Sequence, residues 1–288
     1  MGENTSDTTS KTPPETIYHY CDMSGLYGMV RSNQLWLSNA YFMNDYMEHK
    51  WLFTDAYNRF KELVNKSDEK LFEFLGKYVD LVNVYPYIAC FSSEPDLLSQ
   101  WRGYADDGAG FAIGFSTNCL FNDCDQYLKN EIPIRLQKVD YNLDSQKHTL
   151  DSAIERYVKD LREEDLLERT LRAFAEIWTI AAICKNPAFC EEREYRIILM
   201  PKLRAQERIW PLVPDVGTSE IQFRVIRGRI IPYYTFSFSR EAITEIRLGP
   251  KNYARESPEQ KFALKMLLMK HSYDPDRIKI INSGATYC

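Results

Sequence analysis

The sequence predicts a single α+β domain whose sheet is mainly antiparallel. Strand-like and helix-like segments are mixed along the 288 residues without the strict alternation of a parallel βαβ fold. The composition, 44% hydrophobic and 27% charged, is that of a globular chain with a substantial core. No GxGxxG, P-loop or GxSxG motif is present, so the common nucleotide-binding and hydrolase fingerprints are absent.

The N-terminal part predicts a leader followed by a strand, a helix and a second strand. Residues 1–16 (MGENTSDTTSKTPPET) are polar, which predicts a disordered leader and no secretory signal. The domain then covers residues 17–288. Residues 17–20 are β-branched and aromatic and predict a strand. Asp22 or Ser24 caps a helix over about residues 24–32, and the alternating residues 34–38 predict the next strand.

The middle of the chain predicts mostly helices. Two helices are expected over about residues 45–66 and 67–82, followed by a buried strand over 87–91. A short helix carries Trp101 and Tyr104, and a glycine-containing strand covers 109–115. Leu150, Ile154 and Tyr157 recur at helical spacing and predict a helical insertion over about residues 145–184.

The C-terminal part returns to strands. Four segments are strand-like, at residues 193–200, 221–226, 230–238 and 243–248. Ser257 and Gln260 form a capping box around Pro258 and open a helix to about residue 271. Residues 277–281 predict a last strand.

Charge and cysteine content narrow the function classes. The net charge is −5, which argues against a protein that simply coats nucleic acid. Residues 1–180 carry 18 basic and 29 acidic residues, whereas residues 181–288 carry 18 and 12. This asymmetry indicates either a basic face for an anion or acidic helices packed on a basic sheet. Seven cysteines without a CxxC motif predict free thiols in a reducing cytoplasm and no metal site. The absence of a long apolar run predicts no membrane-spanning segment.

Three groups of residues could carry chemistry. His19 lies between two tyrosines on the first strand and is either a hydrogen-bonded core residue or a ligand-binding group. Trp101 and Tyr104 share a helix face and serve either the core or the stacking of a flat ring. Glu194 and Arg196 share a strand face, which is either a solvated strand edge or the rim of a site where a guanidinium holds Glu194.

The order of these motifs resembles the domain-of-unknown-function 2971 family of bacteria. The resemblance is carried by residues 17–49 (IYHYCDMSGLYGMVRSNQLWLSNAYFMNDYMEH), 87–116 (YIACFSSEPDLLSQWRGYADDGAGFAIGFS), 184–199 (CKNPAFCEEREYRIIL), 227–236 (RGRIIPYYTF) and 245–250 (EIRLGP). Less closely, a first strand with His, the strand LWLS and a late strand with Glu resemble the ADP-ribosyltransferase superfamily. That second resemblance implies a split antiparallel sheet and NAD as substrate.

The superfamily resemblance also implies roles for individual residues. His19 would hold the ribose or nicotinamide of NAD, and Glu194 would be the catalytic carboxylate. A carboxylate stabilises the oxocarbenium-like sugar formed when the nicotinamide–ribose bond breaks. The remaining residues of the implied NAD site are aromatic candidates for stacking, a strand serine, and an arginine for the pyrophosphate, namely Tyr20, Trp36, Trp101, Tyr104, Ser38 and Arg196.

The function implied is transfer of ADP-ribose from NAD to a macromolecular acceptor, protein or nucleic acid, or plain NAD hydrolysis. A bacterial toxin or phage-defence effector is the setting that the superfamily implies. One alternative is a non-catalytic ligand-binding or sensor module on the same fold. Another is an RNA-directed phosphotransferase or nuclease-like enzyme that uses the basic half of the chain. The sequence leaves the acceptor and the oligomeric state open.

Overall fold

The computed structural model describes residues 12–43, 58, 59, 62, 85–160, 166–201, 221–226 and 228–287. The predicted helices over residues 45–82 lie almost entirely outside these ranges, as do residues 1–11 of the predicted leader. The strands are β1 (Thr16–Cys21), β2 (Gln34–Asn39), β3 (Tyr87–Ser92), β4 (Phe111–Ser116), β5 (Ile134–Lys138), β6 (Glu194–Leu199), β7 (Gln222–Ile226), β8 (Arg229–Ser237), β9 (Ile243–Leu248) and β10 (Lys279–Asn282). The α-helices are α1 (Met23–Ser32), α2 (Leu98–Tyr104), α3 (Thr117–Lys129), α4 (Leu143–Asp160), α5 (Leu166–Ile183) and α6 (Pro258–Lys270).

The ten strands of the described ranges form one sheet. Its main path runs β10-β9-β4-β1-β3-β2-β8-β7, and β6 joins β3 to β5. The pairing of β10 with β9 is parallel, and the other pairs are antiparallel. The predicted α+β class with a mainly antiparallel sheet is therefore confirmed.

The sheet divides where β1 and β2 meet β3. At one end of β3, Ser92 pairs with Tyr18 of β1. At the other end, Ile88 pairs with Ser38 of β2. Residues 89–91 between these points pair with β6 on one edge but with neither β1 nor β2 on the other. We call this gap between β1 and β2 the split.

The turn from β1 to β2 follows from local capping chemistry. The Asp22 carboxylate accepts a hydrogen bond from the Gly25 amide at 2.7 Å and begins α1. Asn33 adopts a left-handed backbone (φ 51°), which its short polar side chain tolerates, and ends the helix. The chain therefore leaves β1 and returns as β2 within a dozen residues, and α1 packs its apolar face into the main core.

Each face of the sheet is covered by helices. On one face, α1, α3 and α6 bury the main core, in which Leu26, Leu120 and Leu264 pack with strand residues such as Ile17 and Phe115. On the other face, α2 covers β1 and β4, and the end of α5 covers β3 and β6. The buried positions of α4 include Leu150, Ile154 and Tyr157, as their spacing predicts.

Two glycines allow the backbone to pack closely beside β4. A Cβ at Gly110 would lie 2.3 Å from the carbonyl oxygen of Cys21, and one at Gly249 would lie 2.3 Å from that of Gly108. The predicted strand over 109–115 accordingly begins two residues later, at Phe111, because residues 109 and 110 still form the turn after a short 3-10 helix.

Some elements differ from the sequence prediction. Helix α3 and strand β5 were not predicted, although Ser116 caps α3 by accepting from the Cys119 amide. The predicted helical insertion consists of two helices, α4 and α5. Strand β1 begins at Thr16, the last residue of the predicted leader. No helix within the described ranges has the length and apolarity needed to cross a membrane.

The segment after β10 returns to the start of α2. The Asp96 carboxylate accepts hydrogen bonds from the Trp101 indole at 2.7 Å, the Ser283 hydroxyl and the Gly284 amide. This carboxylate therefore joins the helix that carries Trp101 to the C-terminal segment.

Candidate functional site

Glu194 is the centre of a buried ion-pair network at the start of β6. Both of its oxygens accept from the Arg196 guanidinium, at 2.7 and 2.8 Å. Oε2 also lies 3.3 Å from the Lys185 ammonium, which in turn lies 2.6 Å from Glu192. Arg196 further donates to the carbonyl oxygen of Ala182 at 2.7 Å.

The surroundings of Glu194 differ from those expected. The prediction that Glu194 lies at a rim is wrong, because 5% of the residue is exposed. Burial alone would raise the pKa of the Glu194 carboxyl, but the Arg196 guanidinium and the Lys185 ammonium hold that pKa well below its usual value, at about 2. Arg196 is 1% exposed with its guanidinium occupied, so the pyrophosphate-binding position predicted for it is not available in this arrangement.

His19 lies at the split. Its Nδ1 is 2.8 Å from the carbonyl oxygen of Cys90, at the part of β3 that neither β1 nor β2 pairs with. A carbonyl can only accept, so Nδ1 carries the proton and Nε2 of the neutral ring keeps its lone pair. Burial, opposed by the bond to Cys90 and assisted by the charge of Arg224, lowers the pKa of His19. His19 is therefore a neutral group with one basic nitrogen at neutral pH.

Strand β3 separates His19 from Glu194. Tyr18 and Glu194 both pair with Ser92, so their Cα atoms lie two strand spacings, or roughly 10 Å, apart. Strand alternation places Glu194 on the same face as Tyr18, and directs His19 toward the other face. Cys90 lies between them: its carbonyl oxygen accepts from His19, and burial and the nearby Glu194 charge raise the pKa of its thiol.

Two of the predicted stacking residues belong to the core. The Tyr20 and Trp101 rings meet edge to face with centroids 4.9 Å apart, and the Trp101 side chain is fully buried. The Tyr20 hydroxyl donates to the carbonyl oxygen of Glu94 at 2.7 Å and accepts from the Leu97 amide. Of the two roles that the sequence allows for Trp101, the structure therefore supports the core role, because its indole is buried under β1 and donates to Asp96.

The other predicted ligand-binding residues are distributed differently. Tyr104 is 40% exposed while Trp101 is fully buried, so the two do not form one stacking platform. Trp36 is 45% exposed and stacks on Tyr233 with centroids 4.5 Å apart. Ser38, two residues along β2, accepts from the Arg224 guanidinium at 2.8 Å. Trp36 and Ser38 therefore share one surface next to the split.

Sequence reasoning missed Lys185, Cys90 and Tyr233. Lys185 follows α5 and reaches Glu194 only because a turn of 3-10 helix (Pro187–Glu192) folds back between them. The sequence CKNPAFCEE contains a signal for this turn, since Asn186 caps the 3-10 helix by accepting from the Ala188 amide, and Pro187 is its first residue. Cys90 and Tyr233 become relevant only through strand pairing, which their own neighbours in sequence do not indicate.

Comparison with known proteins bears on the family alone. A family model described as "Protein of unknown function (DUF2971)" matches residues 100–197, about a third of the chain. The match supports that family resemblance. It runs from α2 through β6 and includes Trp101, Lys185, Glu194 and Arg196. No curated protein and no solved structure gives a significant match.

Proposed function

We propose that the protein binds NAD at the split and breaks its nicotinamide–ribose bond, so that ADP-ribose passes to a macromolecular acceptor or to water. The observation that carries the proposal is the position of His19, whose ring lies in the split with Nε2 unprotonated. Because the split interrupts the sheet between β1 and β2, a ligand lying in it can contact side chains from both faces. The split sheet that the superfamily resemblance implies gives the proposal its second support.

The chemistry divides between the two candidate catalytic residues. The bond between ribose C1′ and the nicotinamide nitrogen breaks, and its electron pair leaves with nicotinamide. The oxocarbenium-like ribose is stabilised by an ionised carboxylate, the role that the superfamily resemblance implies for Glu194. To reach the ribose, the Glu194 side chain must give up its contacts with Arg196 and Lys185. The incoming acceptor loses a proton to a base. His19 suits that step better than Glu194, because a carboxyl with a pKa of about 2 is a weak proton acceptor at neutral pH.

A specific observation favours the second candidate function, a ligand-binding module without catalysis. Arg196 and Lys185 already occupy the oxygens of Glu194, which is almost completely buried. A carboxylate in that position also serves as the structural partner of a buried arginine. In this alternative NAD or a related ligand binds at the split and remains intact.

Nicotinamide release and ligand binding, measured on the same samples, separate the two functions. Purified protein is incubated with NAD labelled in the adenylate and in the nicotinamide, with and without cell lysate as a source of acceptor. The variants are His19→Gln and the control His148→Gln, which changes an exposed histidine on α4. We expect nicotinamide release by the wild type and by His148→Gln, and at least about a hundredfold less by His19→Gln, the usual loss for a general base.

The binding measurement interprets a negative result. NAD that binds the wild type without any release of nicotinamide would favour the module. Equal release by His19→Gln and the wild type would contradict the role of His19. Absence of both binding and release would remove NAD from the proposal altogether.

A further inference from the structure

Arg224 is an arginine that has no acidic partner among the residues that the structure describes. Its Nη2 donates to the Ser38 hydroxyl at 2.8 Å, and its Nε is buried with no hydrogen-bond partner. Within the part of the chain that the structure describes, no carboxylate lies within 4.0 Å of this guanidinium. Most of the donors of this planar fork are therefore unused.

A half-buried guanidinium with one hydrogen bond and no carboxylate partner in the described ranges calls for an explanation. Buried polar groups are nearly always hydrogen-bonded, and buried charges are nearly always paired. Burial lowers the pKa of Arg224, with the neighbouring Tyr233 acting in the opposite direction, yet an arginine stays charged at neutral pH. A planar cation with free donors suits an anion with several oxygens, above all a phosphate, which it binds through two parallel hydrogen bonds.

An exposed aromatic ring lies directly beside this cation. Trp36 is 45% exposed and stacks on Tyr233 at an interplanar angle of 29°. The guanidinium carbon of Arg224 lies 5.4 Å from the centre of the Trp36 ring. An exposed tryptophan next to an arginine can bind a flat heterocycle, since every nucleobase has a π face that stacks on aromatic rings.

Strand pairing explains why these side chains share one surface. Ser38 pairs with Tyr233 of β8, and Tyr233 pairs with Gln222 of β7. Trp36 and Arg224 each lie two residues from one of these paired positions, so strand alternation places them on the same face. Ser38 also marks the β2 end of the split, where it pairs with Ile88 of β3. The surface therefore borders the split.

We infer that Arg224, Ser38, Trp36 and Tyr233 form a binding site for a free nucleoside phosphate. The Arg224 guanidinium and the Ser38 hydroxyl bind the phosphate, and the Trp36 ring stacks on the base. One cation and one exposed ring match one nucleotide, whereas a nucleic-acid strand needs a row of each. The site stands whether or not NAD is cleaved at the split, and it gives a cleaved or intact nucleotide a place to bind.

Titration with adenosine diphosphate, adenosine and inorganic phosphate tests the site, with binding followed by calorimetry. We expect the wild type to bind adenosine diphosphate more tightly than either fragment. Arg224→Gln should lower the affinity for adenosine diphosphate at least about tenfold, the usual effect of losing a charged hydrogen bond, and should change the affinity for adenosine little. Trp36→Ala should lower the affinity for adenosine diphosphate and the affinity for adenosine by similar factors. Arg229→Gln, an exposed arginine on β8, is the matched control and should stay within about twofold of the wild type.

Several results would overturn the inference. One is the absence of adenosine diphosphate binding at millimolar concentration, and another is equal affinity in Arg224→Gln. Binding of inorganic phosphate as tight as that of adenosine diphosphate would remove the stacking role of Trp36. A single-stranded oligonucleotide that binds much more tightly than the nucleotide would replace the free ligand by nucleic acid. If adenosine diphosphate binds through Arg224 but no nicotinamide is ever released, the proposed cleavage fails and the site stands.

Discussion

Replacing Glu194 by glutamine removes the charge that neutralises two buried cations. The side chains of Glu194, Arg196 and Lys185 are 6%, 1% and 1% exposed. Breaking a buried ion pair by removing one partner costs about 3–5 kcal/mol, because the remaining charge stays buried and uncompensated. For a chain of this size each kcal/mol lowers the melting temperature by roughly 2–4 °C, so we expect a drop on the order of 10 °C.

Thermal and urea unfolding of Glu194→Gln, followed by circular dichroism, measures this cost. The control is Glu191→Gln, which removes an exposed carboxylate three residues earlier and should change stability by less than about 0.5 kcal/mol. The double variant Glu194→Gln/Arg196→Gln should be more stable than the sum of the two single changes by at least about 1 kcal/mol. A melting temperature of Glu194→Gln within about 2 °C of the wild type would refute the reasoning. Any catalytic effect of this variant must be measured well below its melting temperature, so that unfolding is not mistaken for lost activity.

Three further predictions concern pH, the split and the backbone. The pKa of Glu194 in the folded state lies below the ordinary 4.5, so its stabilising effect is complete above pH 4.5 and is lost as the pH falls toward 2. The difference in unfolding free energy between the wild type and Glu194→Gln should therefore shrink over that interval. A constant difference would contradict the assignment. Arg224→Gln should raise the pKa of His19, measured by NMR titration of the ring, because the charge of Arg224 helps to lower it; an unchanged value would place Arg224 too far away. Gly110→Ala should destabilise the fold by about 1–3 kcal/mol, because the added Cβ clashes with backbone atoms. The control Gly103→Ala has open space around its Cβ and should be neutral or stabilising by up to ~1 kcal/mol. Similar melting temperatures for the two variants would show that the close backbone approach at Gly110 is unimportant.

Local patterns in the sequence predict much of the fold. The caps Asp22 and Ser257, the alternation of residues 34–38 and the common face of Glu194 and Arg196 all agree with the structure. These features depend on neighbours within a few positions, where backbone geometry fixes the outcome. Helix α3 is an exception among these local features, because it was not predicted although Leu120, Cys124 and Tyr127 recur at helical spacing and Ser116 caps it.

Burial and partnership at the candidate site depend on distant parts of the chain. Trp101 and Tyr104 look alike in sequence, but only Trp101 lies under β1, and this is decided by how α2 packs. The Arg224 guanidinium meets Ser38 from 186 positions away, through the pairing of β2 with β8 and β8 with β7. Sequence periodicity contains no information on which strands become neighbours.

The strand order has a consequence for how the chain folds and how it can be dissected. The two N-terminal strands lie inside the sheet, and their partners β3, β4 and β8 come from later in the chain. Such long-range pairing gives a high contact order, so folding should be slow and should wait for the synthesis of nearly the whole chain. A fragment limited to residues 100–197 would lack β1 and β9, which flank β4 on either side, and β3, which pairs with β6. Regions of this protein therefore cannot be assigned roles by truncation, and point substitutions in the intact chain are the appropriate tool.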